Sequence, residues 1–294
     1  MFPKTLVLKY LLALCVNMGG IFPTIVFSQV MEPMHFSDLY PKQYVDKKPI
    51  PYTDLREANV MWLQRVWRVV DMREKVNLGF YFPIVPAQGR ISFMSVVLNA
   101  LRMQQIHAYS AFDSSSNGSG QWDDSFTLLL TPKEVNFALS NTQFVETENE
   151  FGETVITEVT TGIGLEEIFR FKIKEEVFFD NERGVMETRI LGIAPLIPDL
   201  NSGNEGGYKE AFWIYFPEAR KVFAKMLSYN LHNDVMALTY DELFTKRKFH
   251  SYIVKVSNVY ERSLDRYNSP MDALLKAEDI ENYILNQELD LWHY

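Results

Sequence analysis

The chain has 294 residues, of which 47% are hydrophobic and 14% aromatic, and its formal net charge is −9. This apolar fraction is enough for a sizeable core, so the composition excludes wholesale disorder. The negative charge argues against a nucleic-acid-binding protein, because such proteins normally present a basic surface. The length allows one large domain or two ordinary ones.

The first 28 residues are predicted to be a secretory signal peptide. Lys4 and Lys9 precede an apolar stretch, Leu11 to Phe27, and Ser28 is a small residue suited to cleavage. A transmembrane anchor is the alternative, but the stretch contains glycines and a proline and is short for a span of about 20 apolar residues. We therefore expect an exported protein.

Cys15 is the only cysteine of the chain. It gives a weak likeness to a lipoprotein cleavage site, in which Leu14 occupies the position that needs a small residue. Cleavage after Ser28 removes this cysteine, so the mature protein is expected to contain no disulfide although an exported location permits them.

Residues 29–52 are predicted to form an extended arm. Four prolines in it break any helix: Pro33, Pro41, Pro49 and Pro51. The arm also carries apolar and aromatic residues, among them Tyr40, Tyr44 and Tyr52, which are too few for a core of their own. They must dock either on the same domain or on a neighbouring subunit.

Residues 53–294 are expected to form a single α+β domain whose first element is a helix starting at Asp54. Glu57 completes a capping box with Asp54. Six apolar residues follow at helical spacing: Trp62, Leu63, Val66, Trp67, Val69 and Val70. This stripe predicts a core-facing side. The arginines on the other side, including Arg65 and Arg68, belong either to a solvated face or to a protein interface.

The next part of the chain mixes helices and strands. An amphipathic helix is predicted over residues 91–103, followed by a strand over residues 106–112. Thr131 begins a short helix, because proline stands at the first helical position after it. A threonine-rich segment then predicts a strand at about residues 155–159.

A β-hairpin over residues 168–193 is the predicted centre of the fold. Apolar and basic residues alternate at its start, which is the period-2 pattern of a strand with one buried face. The polar loop 180–184 ends in glycine, and the returning strand is expected to stop at about Pro195. Residues 211–216 supply a further strand. The predicted fold class is therefore α+β, with an antiparallel sheet covered by amphipathic helices.

Two helices are predicted near the C-terminus. Thr239 and Glu242 form a capping pair for a helix that runs to about Val256. Ser269 and Pro270 begin the last helix, with an N-cap serine and proline at the first position. One face of this helix is traced by Ala273, Ala277, Ile280, Ile284 and Leu291.

Recognisable catalytic motifs are missing from the sequence: it contains no phosphate-binding loop, dinucleotide fingerprint, H-E-x-x-H or G-x-S-x-G. The paired carboxylates Glu166-Glu167 and Glu175-Glu176 do not predict a glycosidase site, because adjacent residues on a strand point to opposite faces. We interpret both pairs as solvated charge. The five histidines lack metal-ligand spacing.

One loop partly follows the pattern of a calcium-binding EF-hand loop. Asp113, Ser115, Asn117 and Asp124 occupy its ligand positions 1, 3, 5 and 12. Position 12 holds Asp where a bidentate Glu is usual, and the flanking residues do not predict two helices. A flexible Gly/Ser loop is therefore the preferred interpretation, with calcium binding as the alternative.

Five stretches carry a family resemblance: Pro49–Asn77, Phe178–Pro195, Phe212–Arg220, Ser251–Arg262 and Asp272–Tyr294. The first reads PIPYTDLREANVMWLQRVWRVVDMREKVN and the last DALLKAEDIENYILNQELDLWHY. In this order they resemble the GldN/PorN family of gliding-motility and type IX secretion proteins of Bacteroidetes-type bacteria. The resemblance spans nearly the whole chain after the predicted signal peptide.

The resemblance implies a non-enzymatic structural protein of the periplasm that needs no cofactor. Such proteins form a ring-like assembly with the outer-membrane lipoprotein GldK/PorK and contact the periplasmic part of the motor protein GldM/PorM. The residues that we predict to contact partners are Tyr40, Tyr44, Tyr52, Trp62, Arg65 and Arg68. The alternative, from a different class, is a periplasmic hydrolase or glycan-binding protein with an unrecognised carboxylate site.

The signal peptide yields a direct prediction. N-terminal sequencing of the protein purified from an exporting host is expected to begin at or near Gln29, because the apolar stretch ends just before Ser28. A membrane-bound form that retains Met1 would contradict this assignment.

Overall fold

The structure, a computed structural model, describes residues 47–87, 89–113, 121–148, 154–199, 207–230 and 238–291. The predicted signal peptide and residues 29–46 of the predicted arm lie outside this part of the chain. The described residues belong to one compact unit.

Strands make up much of the described chain. In chain order they are β1 (Val60–Asp71), β2 (Ala108–Ser110), β3 (Phe112–Asp113), β4 (Gln121–Trp122), β5 (Ser140–Glu148), β6 (Thr154–Gly162), β7 (Arg170–Asp180), β8 (Val185–Pro198), β9 (Tyr208–Glu210), β10 (Phe212–Tyr215) and β11 (Tyr252–Val256). Seven of them form an antiparallel sheet in the order β11-β1-β7-β8-β10-β2, with β9 beside the end of β8. The β3–β4 and β5–β6 pairs are separate two-stranded sheets.

The helices are α1 (Leu78–Tyr81), α2 (Phe93–Arg102), α3 (Pro132–Ala138), α4 (Phe216–Phe223), α5 (Tyr240–Thr245) and α6 (Pro270–Leu291). The main core lies where α2, α4 and α5 meet the sheet, and it is rich in aromatic rings. Phe93 is fully buried and lies 5.3 Å from Phe171 and 5.4 Å from Phe244, measured between ring centroids. The prediction of an antiparallel sheet combined with helices is confirmed.

Strands β7 and β8 pair along their whole length, from Arg170 opposite Leu196 to Asp180 opposite Val185. Gly184 closes the connection with φ +62°, a conformation that glycine adopts without a Cβ clash. The prediction that the second strand stops at Pro195 is wrong, because β8 continues to Pro198. The carbonyl of Pro195 accepts a hydrogen bond from Ala211, at the point where the neighbouring strand changes from β10 to β9.

The predicted first helix is wrong. Residues 60–71 form strand β1, preceded by a short 3₁₀ turn at Glu57–Asn59, and no side chain caps that turn. Strand β1 lies between β7 and β11, and its residues from Val66 to Asp71 are buried on both faces. A strand buried on both faces is apolar at consecutive positions, so its pattern also matches helical spacing.

The predicted helix over residues 239–256 is also wrong in its second half. Helix α5 ends at Thr245, where Arg247 takes φ +49° and the N–H of Lys248 donates to the carbonyl of Leu243. This hydrogen bond closes the helix C-terminus in a Schellman motif. The β-branched residues that follow form β11 at the edge of the sheet.

Several local predictions are confirmed. Helix α2 occupies the predicted range, and α3 begins with a full capping box between Thr131 and Glu134. The strand predicted near residues 155–159 is part of β6. The C-terminal helix begins at Pro270, and the Ser269 hydroxyl accepts a hydrogen bond from the N–H of Asp272.

The opposite face of the sheet carries a smaller buried cluster around Trp67. The indole N–H of Trp67 donates to Asp124 Oδ2 over 2.7 Å, and Lys174 Nζ lies 3.2 Å from Asp124 Oδ1. The ring of Phe126 lies directly over Gly192, where a Cβ would come within 2.4 Å of the ring. The segment around Phe126 therefore approaches the sheet closely only because position 192 is glycine.

Trp67 tests this packing, because only 3% of it is exposed. Trp67→Ala is expected to lower the free energy of unfolding by about 3–5 kcal/mol, since it leaves a large cavity and removes one hydrogen-bond donor to Asp124. Met61→Ala in the exposed half of the same strand should stay within about 0.5 kcal/mol of wild type. Urea unfolding of both variants provides the comparison. Equal midpoints for the two variants would contradict the assigned position of Trp67.

Candidate interaction surface

Tyr52 anchors the described end of the predicted arm to its own domain. Its ring lies 4.3 Å from the guanidinium carbon of Arg220 and 5.1 Å from that of Arg189. Arg220 is buried and forms a bidentate pair with Asp241. Burial raises the pKa of the Tyr52 hydroxyl, although the positive charge of Arg220 opposes this shift. Tyr52 therefore packs within its own domain, while Tyr40 and Tyr44 lie outside the described residues.

The first half of β1 presents an exposed stripe of Met61, Leu63 and Arg65, which alternates with half-buried residues. We call these three residues the β1 stripe. Trp62 points the other way and packs against the buried cluster under α6. Arg65 Nε donates to Glu176 on β7 over 2.8 Å, and about half of the Arg65 side chain is exposed. Two apolar side chains beside an exposed arginine match the residue types found at protein interfaces.

Arg68 does not lie on this exposed surface. Its side chain is 11% exposed, and its Nε lies 3.3 Å from Glu175 Oε2, but without hydrogen-bond alignment. The Nη1 nitrogen of Arg68 donates to the carboxylate of Glu281 on α6. Arg68 therefore joins the sheet to the last helix, and the prediction that it shares an accessible face with Arg65 is wrong.

Glu175 is the buried partner of this arrangement. It has no exposed surface, and the guanidinium of Arg247 donates to its two oxygens over 2.8 and 3.2 Å. The prediction that Glu175 and Glu176 are both solvated is wrong for Glu175. Adjacent strand residues point to opposite faces, so one carboxylate lies under α6 and the other lies beside Arg65. Glu166 and Glu167 are exposed, as predicted.

The predicted calcium loop lies mostly outside the described residues. Asp124 is the one of its four predicted ligands whose side chain is described, and Trp67 and Lys174 already bind its carboxylate. Within the described ranges, no group of three or more His, Cys, Asp or Glu side chains is placed to hold a metal ion. Calcium binding therefore stays an untested alternative to the flexible Gly/Ser loop.

Two of the clefts in the described part of the chain have room for a small molecule, and neither of these two is lined by a carboxylate. One, of about 410 Å³, lies beside α1 and includes Lys75 and Lys248. The other, of about 330 Å³, lies between α2, β2 and α3 and includes His107. A glycosidase-like site needs carboxylates that converge on one cleft, so these clefts do not supply one.

Among the described residues, the carboxyl groups whose pKa departs clearly from its ordinary value all have it lowered: Asp71, Asp123, Glu134, Asp180, Glu187 and Glu242. At Asp71, burial raises the pKa, but hydrogen bonds from Arg73 and Arg170 outweigh it. A general acid needs the opposite shift, toward neutral pH. These six carboxylates are thus held in their charged form by structural partners.

Comparison with protein families decides the relationship of the chain. The family model described as "Gliding motility associated protein GldN" matches residues 55–293. The chain belongs to the GldN family. Its members are components of the gliding-motility and type IX secretion machinery. A comparison with curated proteins gives no significant match.

Among the described residues, no helix of this GldN-family chain combines the length and the apolar character that a membrane span requires. Helix α6 also has a second apolar face, on its outer side, which the prediction of one inner face did not include. The signal lies in Met271, Leu275 and Leu285, because Leu275 follows Met271 by four residues and Leu285 follows Met271 by two heptads, which places all three on one side of the helix.

The two arginines of β1 are expected to respond differently to charge reversal. Arg68→Glu should lower the free energy of unfolding by about 3–5 kcal/mol, because it removes a partner of the buried Glu175. Arg65→Glu places like charges opposite each other on exposed neighbouring strands and should cost about 1 kcal/mol or less. The melting temperatures of the two variants are compared with that of Arg56→Glu, an exposed control. If Arg68→Glu melts as Arg65→Glu does, the buried network is not as described.

Proposed function

We propose that this GldN-family chain is a non-enzymatic structural component of the type IX secretion and gliding machinery. In this proposal it forms a periplasmic ring-like complex with an outer-membrane lipoprotein of the GldK/PorK type. It also associates with further copies of itself and contacts the motor protein GldM/PorM. The observation that carries the proposal is the family match across residues 55–293.

The surface of the domain supports a binding role over the alternative of a hydrolase or glycan-binding protein. The two clefts lack carboxylates, and the clearly shifted carboxyl groups are held charged by structural partners. The β1 stripe instead offers apolar side chains and an arginine without a cleft. Of the predicted contact residues, Arg65 is accessible, so we assign it to a partner interface. Trp62 packs on the inner side of β1, against the buried cluster under α6.

The arm divides into two parts in this proposal. Lys47 pairs with Glu242 on α5, and Tyr52 packs on Arg220, so the described end of the arm is held by its own domain. We propose that residues 29–46 contact the lipoprotein. Extended, proline-rich backbone loses little further entropy on binding, which suits such a role.

The test is native purification of the tagged protein from its own host. The lipoprotein is expected to co-elute at a fixed ratio, and either deletion of residues 29–46 or Arg65→Glu should lower that ratio and reduce secretion. The deletion keeps Lys47 and Tyr52, so the domain should retain its circular dichroism spectrum and melting temperature. Arg56→Glu serves as the matched exposed control.

Two results would contradict the proposal. The first is a tagged, functional protein that elutes alone under gentle extraction. The second is a host that lacks the chain and still secretes and glides normally.

A further inference from the structure

Helix α6 has two apolar faces, and the sheet uses only one of them. On the inner side, Ala273 and Ala277 are buried, and Ile280 and Ile284 pack against the same cluster. This cluster includes Val66 and Ile253 on the sheet. Small alanine side chains let the helix approach the sheet closely. The opposite side of the helix is left pointing outward.

The outward side carries a regular seam of Met271, Leu275, Glu278, Asn282 and Leu285. The spacing of 4, 3, 4 and 3 residues is that of a coiled-coil contact. Met271 is 67% exposed, Leu275 is 53% and Leu285 is 54%, and Leu274 beside them is 56% exposed. We call Met271, Leu275, Glu278, Asn282 and Leu285 together the outer seam. Exposed apolar side chains concentrated along one side of a helix mark an interaction site.

The rotation of α6 is fixed, so the outer seam is a stable feature of the surface. Glu281 accepts a hydrogen bond from the buried Arg68, and this bond joins the helix to β1. The Arg68 side chain is in turn placed against Glu175. The helix cannot turn its outer seam inward without breaking this pair.

The negative charge of α6 indicates which kind of partner can cover the outer seam. Helix α6 contains six acidic residues and one lysine: Asp272, Glu278, Asp279, Glu281, Glu288 and Asp290 against Lys276. Glu278 is exposed at the centre of the seam, midway between Met271 and Leu285. A partner helix must therefore place a basic residue opposite Glu278 and apolar residues on both sides of it.

Other occupants fit poorly. A second α6 pairing through the same seam, parallel or antiparallel, would bring Glu278 against Glu278 at its centre. Residues 29–46 carry Glu32, Asp38 and Asp46 against Lys42, so they do not supply the needed charge. An anionic membrane surface attracts helices with basic polar faces, which is the opposite of α6.

We propose that the outer seam of α6 docks a basic amphipathic helix of another protein. This inference deepens the proposed function, because it states the chemistry of one partner of the assembly. Its test uses purified components only. A failure here is therefore separate from the secretion and co-purification results that test the function.

The probe is a pair of labelled synthetic peptides, each about three heptads long so that a helix is stable when docked. One has lysine at the position that faces Glu278 and at the flanking positions, with leucine at the other seam positions, and the other has glutamate in place of every lysine. Fluorescence anisotropy with the protein purified from an exporting host is expected to show saturable binding of the lysine peptide alone. Added salt should weaken it.

Seam variants separate specific docking from general attraction to an acidic protein. Leu275→Gln with Leu285→Gln keeps every charge and is expected to weaken binding about tenfold or more, because both apolar contacts are lost. Glu278→Lys should reduce binding of the lysine peptide and favour the glutamate peptide. Val85→Gln with Met103→Gln, exposed apolar residues elsewhere on the domain, is the matched control and should bind as wild type.

Circular dichroism checks that each variant is folded. An unchanged spectrum is expected, because the substituted side chains are exposed. Three outcomes would overturn the proposal. The first is that the two peptides bind equally or not at all. The second is that the Leu275→Gln, Leu285→Gln variant binds the lysine peptide as tightly as wild type. The third is that sedimentation shows a dimer of the wild-type protein and a monomer of this double variant. The last outcome would assign the seam to a second copy of the chain.

Discussion

A buried carboxylate, Glu175, constrains the arrangement of the whole domain. Moving a charge out of water costs several kcal/mol, and here two arginines offset that cost. Arg68 belongs to the neighbouring strand and Arg247 follows α5, so the carboxylate joins parts of the chain that are far apart in sequence. Through Glu281, the same network also sets the position and rotation of α6.

The two faces of the sheet have different characters because of this arrangement. One face is covered by helices and forms the aromatic core around Phe93, with α6 packed over its β11–β1–β7 side. The other face carries Trp67 and Lys174, which share Asp124 from the segment above them. The β1 stripe and the outer seam of α6 are two accessible features of the described surface. Both are shallow surfaces suited to other proteins, which agrees with a component of a large assembly.

Local signals explain which parts of the fold were predictable. The helix starts at Thr131 and Thr239 were predictable from Pro132 and from the Thr239–Glu242 capping pair, because a helix N-terminus is specified by residues within one turn. The strands around loop 180–184 were found from alternation and a glycine. Strand β1 was mistaken for a helix because it is buried on both faces, and its apolar pattern loses the period of two. Helix α5 was extended too far because its closing turn uses Arg247, which gives no glycine signal.

The sequence by itself determined the family, the antiparallel sheet with its helices and most helix starts, since each depends on nearby residues or on matched segments. It did not separate Arg65 from Arg68, or Glu175 from Glu176, as exposed and buried partners. Only the tertiary structure decided this, because burial on a strand depends on which helix covers each face. The exposure of the outer seam was likewise decided by the tertiary structure. Its leucines are visible in the sequence, but only the docking of the opposite side of α6 on the sheet leaves them exposed.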